Sequence, residues 1–295
     1  MSTDATRPGH IGYHAGERQA QARAGVAAEA ARLERLPKPE IPPAARDFLA
    51  RQTLAIAASA DSEGRMWASP LTGSPGFLAA ADARTLMVSA RPAAGDPLGG
   101  NIQHEPGVGL LIIDPAGRRR MRLNGRARWT AAGDLEVSAE EVYANCPKYI
   151  RRRAPDAASS AEPGAPRRET ELTSWARALI ARADTLFIAT RHPQGAADAS
   201  HRGGEPGFVE VASTPDGADV IRIPDYAGNN MFNTIGNLLV EPRAGLLFPD
   251  FEGGSALELT GTAEVSWTGG TRAIAFRVEA AVELPGALGY RWRSL

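Results

Sequence analysis

Strict alternation of apolar and polar residues marks the clearest strand in the chain, at residues 120–129. One face carries only apolar or small residues, namely Met121, Leu123, Gly125, Ala127 and Trp129. The opposite face carries four arginines and one asparagine. Residues 257–267 repeat this pattern. Because a period of two with one polar face is typical of antiparallel strands, the pattern predicts antiparallel β-sheet.

Three short sequence patterns occur twice in the same order. A Pro-Gly-Phe turn, a Glu-Pro segment leading into a strand, and a Leu-x-Gly strand occur at 75–77, 105–114 and 123–129, and again at 206–208, 241–250 and 259–267. The second and third patterns recur after 136 residues and the first after 131. This repetition predicts an internal duplication, and a length of 295 residues accommodates two domains.

The segments outside the repeats set the predicted domain organisation. Residues 1–43 are expected to form a helical extension with an Ala-rich helix at 16–36, residues 44–133 a first barrel, residues 134–170 a helix and a mobile linker, and residues 171–295 a second barrel. A capping-box pattern predicts that the linking helix starts at Ser138 and runs to about Tyr149. The arginines at 151–153 and 167–168 are expected to be solvated parts of the linker.

Composition excludes several classes of function. The formal net charge of −1 argues against nucleic acid or an anionic membrane as partner. Cys146 is the only cysteine, so the chain has no internal disulfide and no cysteine-built metal site. The N-terminus is polar, and no segment approaches the ~20 apolar residues of a membrane span. A cytoplasmic protein without a metal site is expected.

Two segments of the second copy are the most specific. Residues 200–208 read SHRGGEPGF, expected as a Ser/His-rich loop, and residues 224–233 read PDYAGNNMFN. With the order of the surrounding strands, they resemble the pyridoxamine 5′-phosphate oxidase-like FMN-binding split-barrel family over residues 48–129 and 179–267. Residues 13–17 and 143–149 resemble a tandem branch of that family. The resemblance implies a mainly β fold, with short helices and two tandem six-stranded split barrels, and FMN in a groove between barrels that pair within one chain or in a homodimer.

Local chemistry predicts the FMN site in the second copy. Asn229 and Asn230 stand at the start of a predicted helix at 230–240, where free backbone N–H groups favour a phosphate. Arg202 is the expected charge partner, and Phe208 or Tyr226 is expected to cover the flavin ring. The full predicted set is Ser200, His201, Arg202, Gly203, Gly204, Gly207, Phe208, Pro224, Asp225, Tyr226, Asn229, Asn230 and Asn233. The alternative for the asparagines is a simple helix cap, and for the glycines a turn.

The first copy departs from this pattern. Asp96 stands at its corresponding helix start, where an acid opposes phosphate, so this copy is expected to lack its own site. It is then expected to form a wall of the site in the second copy, with Ser69, Thr72 or Arg91 as contacts.

Equivalent positions of the two copies carry opposite charges. Arg122 corresponds to Glu258, and Arg128 corresponds to Glu264. This complementarity is expected to favour pairing of the first barrel with the second. The alternative is that these residues lie on independent solvated faces.

The leading functional hypothesis is an FMN-dependent oxidoreductase that acts on an unidentified small molecule, with a nicotinamide reductant expected. His201 is the only candidate for a hydrogen bond to the flavin or for proton donation, and a histidine without a chemical role is the alternative. The second hypothesis is a non-catalytic protein of the same fold that binds or senses flavin or haem. The sequence contains no arrangement of nucleophile, base and orienting group typical of hydrolases.

Overall fold

A computed structural model describes residues 12–193 and 197–295. The first half contains α1 (Ala15–Arg23), α2 (Ala27–Ala31), a 3-10 turn (Pro43–Ala45), α3 (Arg46–Ala50), β1 (Leu54–Ala60), β2 (Met66–Thr72), β3 (Leu78–Ala80), β4 (Thr85–Val88), α4 (Leu98–His104), β5 (Gly107–Asp114), β6 (Arg119–Trp129) and β7 (Leu135–Asn145). The second half contains β8 (Arg153–Ser160), β9 (Arg167–Glu169), α5 (Ser174–Arg182), β10 (Thr185–Arg191), β11 (Ala197–Gly203), β12 (Glu210–Ser213), β13 (Asp219–Pro224), α6 (Asn233–Leu238), β14 (Arg243–Asp250), β15 (Ser255–Thr268), β16 (Thr271–Leu284) and β17 (Tyr290–Ser294). The prediction of a mainly β fold is confirmed.

The two large sheets have the same strand order. The first runs β2-β1-β5-β6-β7-β4-β3, and the second runs β11-β10-β14-β15-β16-β13-β12. Every strand of the second sheet is therefore the ninth after its counterpart, and neighbouring strands are antiparallel throughout. The tandem duplication is confirmed. Six strands were expected in each copy; the first sheet has seven, and the second has eight because β9 also pairs with β16.

Residues 135–145 form strand β7, so the helix predicted to start at Ser138 is wrong. Strand β7 pairs with β6 on one side and β4 on the other, and it buries Leu135, Val137 and Val142 in the core of the first barrel. A capping-box pattern expresses a local preference. Hydrogen bonding to two neighbouring strands and burial of the apolar face outweigh that preference here.

The segment predicted as a linker also contains strands. Strand β8 pairs with β17, and β9 pairs with β16 at the second sheet. The Ala-rich stretch at 16–36 is two helices rather than one, separated around Gly25, whose φ is 70°. The proposed domain boundaries stay a prediction. None of the helices among the described residues has the length and apolar character of a membrane span.

Each barrel has its own hydrophobic core, and a third core lies between the barrels. Ala55 and Ala57 of β1 belong to the core of the first barrel. Leu54 and Ile56, on the opposite face, belong to the interbarrel core together with Phe187. Across this interface β2 packs against β14 and β15, while β11 packs against β5 and β6. The contact of β11 with β6 positions the candidate site.

Candidate binding site between the two barrels

Two adjoining cavities lie where β11 meets β6 and the segment 146–153. The smaller has a volume of about 60 Å³ and is lined by residues of both halves of the chain. The larger has a volume of about 630 Å³. Tyr149 and Tyr226 line both cavities, and their ring centroids are 5.4 Å apart. Together the two cavities form the interbarrel groove.

Six residues of the predicted site reach this groove. His201, Arg202, Gly203, Tyr226 and Asn229 line the smaller cavity, and Gly204 and Tyr226 line the larger one. The first three belong to β11, which is an edge strand of its sheet rather than the loop that was expected. A Cβ atom on Gly203 would collide with the carbonyl oxygen of Tyr149, so glycine permits this close approach.

Four predicted residues support the site without lining it. Ser200 is completely buried and accepts hydrogen bonds from Arg122 Nη2 and, at 2.9 Å, from Thr234 Oγ1. Phe208 packs against the core of the second barrel. Gly207 has a φ of 82° in the turn after β11, and Pro224 is the last residue of β13.

Asp225 neutralises part of the positive charge behind the groove. Its Oδ2 accepts a hydrogen bond of 2.8 Å from Arg272 Nε, and its Oδ1 lies 3.3 Å from Arg202 Nη2. This carboxylate therefore holds Arg202 from behind and does not itself line either cavity. It fixes the direction of the Arg202 side chain toward the smaller cavity.

The helix predicted to begin at Asn230 begins three residues later, at Asn233. Asn230 and Phe232 have φ values of 62° and 63°, a left-handed conformation that cannot continue a right-handed helix. Asn229 Oδ1 instead accepts a hydrogen bond of 3.1 Å from the backbone N–H of Met231. The expected phosphate cradle at a helix start is therefore replaced by an irregular turn before a short helix.

Helix α1 covers the start of α6. Asn233 donates through Nδ2 to Glu17 Oε1 at 2.6 Å and accepts from Arg122 Nη1 at 3.3 Å. Burial raises the pKa of Glu17 to about 8, with a smaller contribution from the charge of Asp198. Asn233 thus links the N-terminal helix to the interbarrel contact and does not line the groove.

Arg120 is the most informative residue that was not predicted. It lies on the polar face of β6, and its Nη1 donates to Nδ1 of His201 at 3.0 Å. Because a guanidinium has no acceptor, Nδ1 of His201 must be the acceptor and the ring proton must lie on Nε2. Burial, followed by the charges of Arg120 and Arg202, lowers the pKa of His201 well below its usual value, so this histidine is neutral.

Positive charge at the smaller cavity is only partly compensated. Burial, followed by repulsion from Arg122 and Arg202, lowers the pKa of Arg120 to about 10. Among the described residues no carboxylate forms an ion pair with Arg120. The Nε atoms of Arg120 and Arg202 are buried and have no hydrogen-bond partner within residues 12–193 and 197–295. Lys148 lines the same cavity. An anion there would satisfy these donors and reduce the repulsion.

Two signals in the sequence point to these additional residues. Alternation places Arg120 on the same polar face of β6 as Arg122, and the cationic residues of 148–153 follow the next strand. From the sequence alone, Arg122 and Arg128 of this face predict a charge pattern for barrel pairing, and the arginines at 151–153 predict a solvated linker. Arg128 does pair within its own sheet, at 2.7 Å from Glu136.

The equivalent groove of the first barrel is filled. Leu71 and Ala256, both completely buried, stand at the positions equivalent to Arg202 and Arg120. Arg168 Nη2 donates to the carbonyl of Gly95 at 2.7 Å across the corresponding helix start. The expected wall residues lie elsewhere: Ser69 is buried against Asp96, Thr72 is beside Gly289, and Arg91 donates to Ala132.

Most of the chain matches the family model described as pyridoxamine 5′-phosphate oxidase, once over residues 41–167 and again over residues 172–283. The chain belongs to this family. The two matched ranges coincide with the two similar sheets, and both include a barrel and its flanking segments. No curated protein matches the chain in sequence.

Several solved structures are similar to part of this family member. HupZ of Group A Streptococcus is 14% identical and aligns with 35% of this chain and 94% of its own, with a TM-score of 0.29. A protein from Lactobacillus delbrueckii is described as a putative pyridoxamine 5′-phosphate oxidase and is 16% identical. It aligns with 36% of this chain and 95% of its own, with a TM-score of 0.29. HutZ from Vibrio cholerae is described as a haem storage protein and is 13% identical. It aligns with 40% of this chain and 96% of its own, with a TM-score of 0.28.

Proposed function

We propose that this member of the pyridoxamine 5′-phosphate oxidase family binds FMN in the interbarrel groove and uses it as an oxidoreductase acting on a small molecule. The observation that supports this most is the pair of buried, unpartnered Nε–H groups on Arg120 and Arg202, one from each barrel. Charged donors without partners are costly inside a protein, and a phosphate monoester supplies the matching acceptors.

The dimensions of the groove limit how the cofactor can lie. A volume of about 60 Å³ lies far below the usual range for ligand sites, so the smaller cavity has room for a phosphate-sized group and not for a three-ring system. The larger cavity, at about 630 Å³, lies within the usual range for ligand sites of about 300–1,000 Å³. The phosphate would therefore be held by Arg120, Lys148 and Arg202, and the ring would rest against Tyr149 and Tyr226.

His201 has a defined chemical capacity in this arrangement. Its Nδ1 is occupied by Arg120, so the remaining polar atom is the Nε2–H donor. A neutral buried imidazole of this kind orients or polarises a group by hydrogen bonding. It resists protonation first because it is buried and then because guanidiniums are close. The bound isoalloxazine would supply the two-electron chemistry, with a nicotinamide as the expected reductant.

Absorption spectroscopy of the purified full chain tests the proposal. We expect a yellow protein from which FMN is released on denaturation and identified by mass, and which is bleached by NAD(P)H. Arg120→Gln should weaken FMN binding at least about 10-fold, because a charge-assisted hydrogen bond contributes roughly 1.5–3 kcal/mol. Arg126→Gln, an exposed change on the same strand, should leave the dissociation constant unchanged.

The other outcomes are distinct. Failure of added FMN to bind the full chain would refute the proposal. A flavin that is bound but never bleached by a nicotinamide would favour the non-catalytic binding protein, and a Soret band with no flavin would favour haem.

A further inference from the structure

The larger cavity carries two arginines without an acidic partner. Arg118 lies in the turn between β5 and β6, and its Nη2 is 3.5 Å from the carbonyl oxygen of Pro147. Arg152 lies just before β8, and its Nε donates to the carbonyl of Ala116 at 3.1 Å. Both side chains are exposed and line this cavity. No carboxylate of residues 12–193 or 197–295 forms an ion pair with either one.

The other two arginines of this cavity are already engaged. Arg153 pairs with Asp184 and lies 4.5 Å over the ring of Phe251, so its role is structural. Arg151 donates from Nε and Nη2 to the carbonyl of Gly204, both at 3.2 Å, and pairs with Glu205. Two of the four guanidiniums are thus balanced by two carboxylates. Arg118 and Arg152 form a surplus of positive charge at one cavity.

Backbone conformation and aromatic side chains single out the same cavity. Arg118 and Tyr149 have φ values of 52° and 65°, which are unfavourable for residues with a side chain. Such conformations persist where the surrounding structure enforces them and are frequent at binding sites. Tyr149 and Tyr226 are 41% and 44% exposed, so they offer an accessible aromatic surface beside the free guanidiniums.

We propose that the larger cavity binds a second ligand, an aromatic phosphate ester of the nucleotide class. Arg118 and Arg152 would hold its phosphate oxygens, because planar guanidiniums match phosphate geometry and remain charged. In the flavin-free protein the tyrosine pair would contact its ring, and with FMN bound the flavin ring would lie on the tyrosines and this ligand's ring against the flavin. If the groove also holds FMN, this ligand is its co-substrate or reductant, and that role rests on the proposed function. The binding itself needs no flavin.

Calorimetric titration of the full chain with ADP, pyrophosphate and adenosine tests the inference. We expect ADP to bind, to bind more weakly at high salt, and to bind about 10-fold or more tightly than adenosine. The double variant Arg118→Gln/Arg152→Gln should raise the dissociation constant of ADP about 10-fold or more. Arg46→Gln/Arg91→Gln is a matched control, since both arginines are exposed and donate only to a carbonyl.

Other titration results would overturn or refine the inference. Absence of ADP binding, or equal ADP binding in both double variants, would overturn the inference. Pyrophosphate binding as tight as ADP would overturn the aromatic part of it. NADPH binding with the same dependence on Arg118 and Arg152 would identify a dinucleotide as the ligand. Because FMN content is measured separately in every variant, a protein that binds ADP but no FMN would refute only the proposed function.

Discussion

Two equivalent positions in the repeats show how one residue determines local chemistry. Arg122 and Glu258 stand 136 residues apart at corresponding points of β6 and β15, and both are buried. Arg122 has partners, including the Tyr143 hydroxyl at 3.2 Å and Asp198 at 3.7 Å. Glu258 faces Asp96 and Ser69 instead, and its carboxylate forms no ion pair among the described residues. Alternation in the sequence identifies the polar face of each strand without showing what covers it, and the effect of the opposite charges on barrel pairing stays a prediction.

Glu258 and Asp96 give a pH dependence with a definite sign. Burial, and then the charge of Asp96, raises the pKa of Glu258 well above 4.5, and burial raises the pKa of Asp96 to about 6. The folded state therefore binds protons more tightly than the unfolded state. The stability from this pair is complete below about pH 4 to 4.5 and is lost as the pH rises through the folded pKa values. The wild-type protein should unfold more easily at pH 8 than at pH 5.

Glu258→Gln should reduce this dependence. At pH 8 we expect the variant to be more stable than the wild type by about 1 kcal/mol or more, or about 2–4 °C in melting temperature. Glu264→Gln, an exposed change on the same strand, controls for the loss of one charge. Thermal melts of each protein at pH 5 and pH 8 test this prediction. An equal change in melting temperature between the two pH values for wild type and Glu258→Gln would show that Glu258 does not cause the pH dependence.

At the scale of elements, helix α1 depends on a close approach to α6. The carbonyl of Gly236 lies where a Cβ atom of Gly16 would be, and a Cβ atom on Gly236 would lie 2.6 Å from the Cα atom of Glu17. His14 Nε2 is 3.0 Å from Asn237 Oδ1 in the same contact. The two glycines thus let two helices meet along their backbones, and that contact places Glu17 beside Asn233.

Gly236→Ala should displace α1. Since the backbone of Glu17 cannot move without lifting the helix, we expect a loss of about 1–3 kcal/mol in the free energy of unfolding and faster proteolysis within residues 12–31. Gly100 is the equivalent residue of α4, and outside its own helix and chain neighbours no atom of the described residues lies within 4 Å of its Cβ position. Gly100→Ala should be neutral or stabilising by up to about 1 kcal/mol. Equal stability of the two variants would show that α1 is not held by this contact.

The sequence predicted secondary-structure elements best where residues close in sequence determine the local conformation. The alternation of β6 and β15 and the repeated spacing were enough to predict the duplicated sheet. Strand β7 was missed because a local capping pattern was weighed without the two strands that flank it. Asn230 was placed in a helix because its left-handed backbone is set by surrounding contacts. Arg120 was missed because it reaches His201 across 81 residues of sequence, which no local pattern reports.

For the whole molecule, duplication followed by divergence explains why the two grooves differ. Pro70, Leu71 and Ala256 stand where His201, Arg202 and Arg120 stand in the other groove. The filled groove thus lacks the counterparts of Arg120 and Arg202 and contains a buried acid pair, whereas the open groove is rich in guanidinium groups. A symmetric pair of ancestral sites is expected to become one basic site and one structural contact when such substitutions accumulate on one side only.

This asymmetry predicts one FMN for each chain. Released FMN should be measured by absorbance and divided by the molar concentration of chains from quantitative amino-acid analysis, a ratio that does not depend on how many chains assemble. Arg120→Gln should lower the bound flavin toward zero at limiting FMN, because the filled groove has no cation at the equivalent position. Two FMN molecules per chain would show that the groove at Leu71 opens in solution. One FMN retained undiminished by Arg120→Gln would show that the flavin binds outside the groove between Arg120 and Arg202.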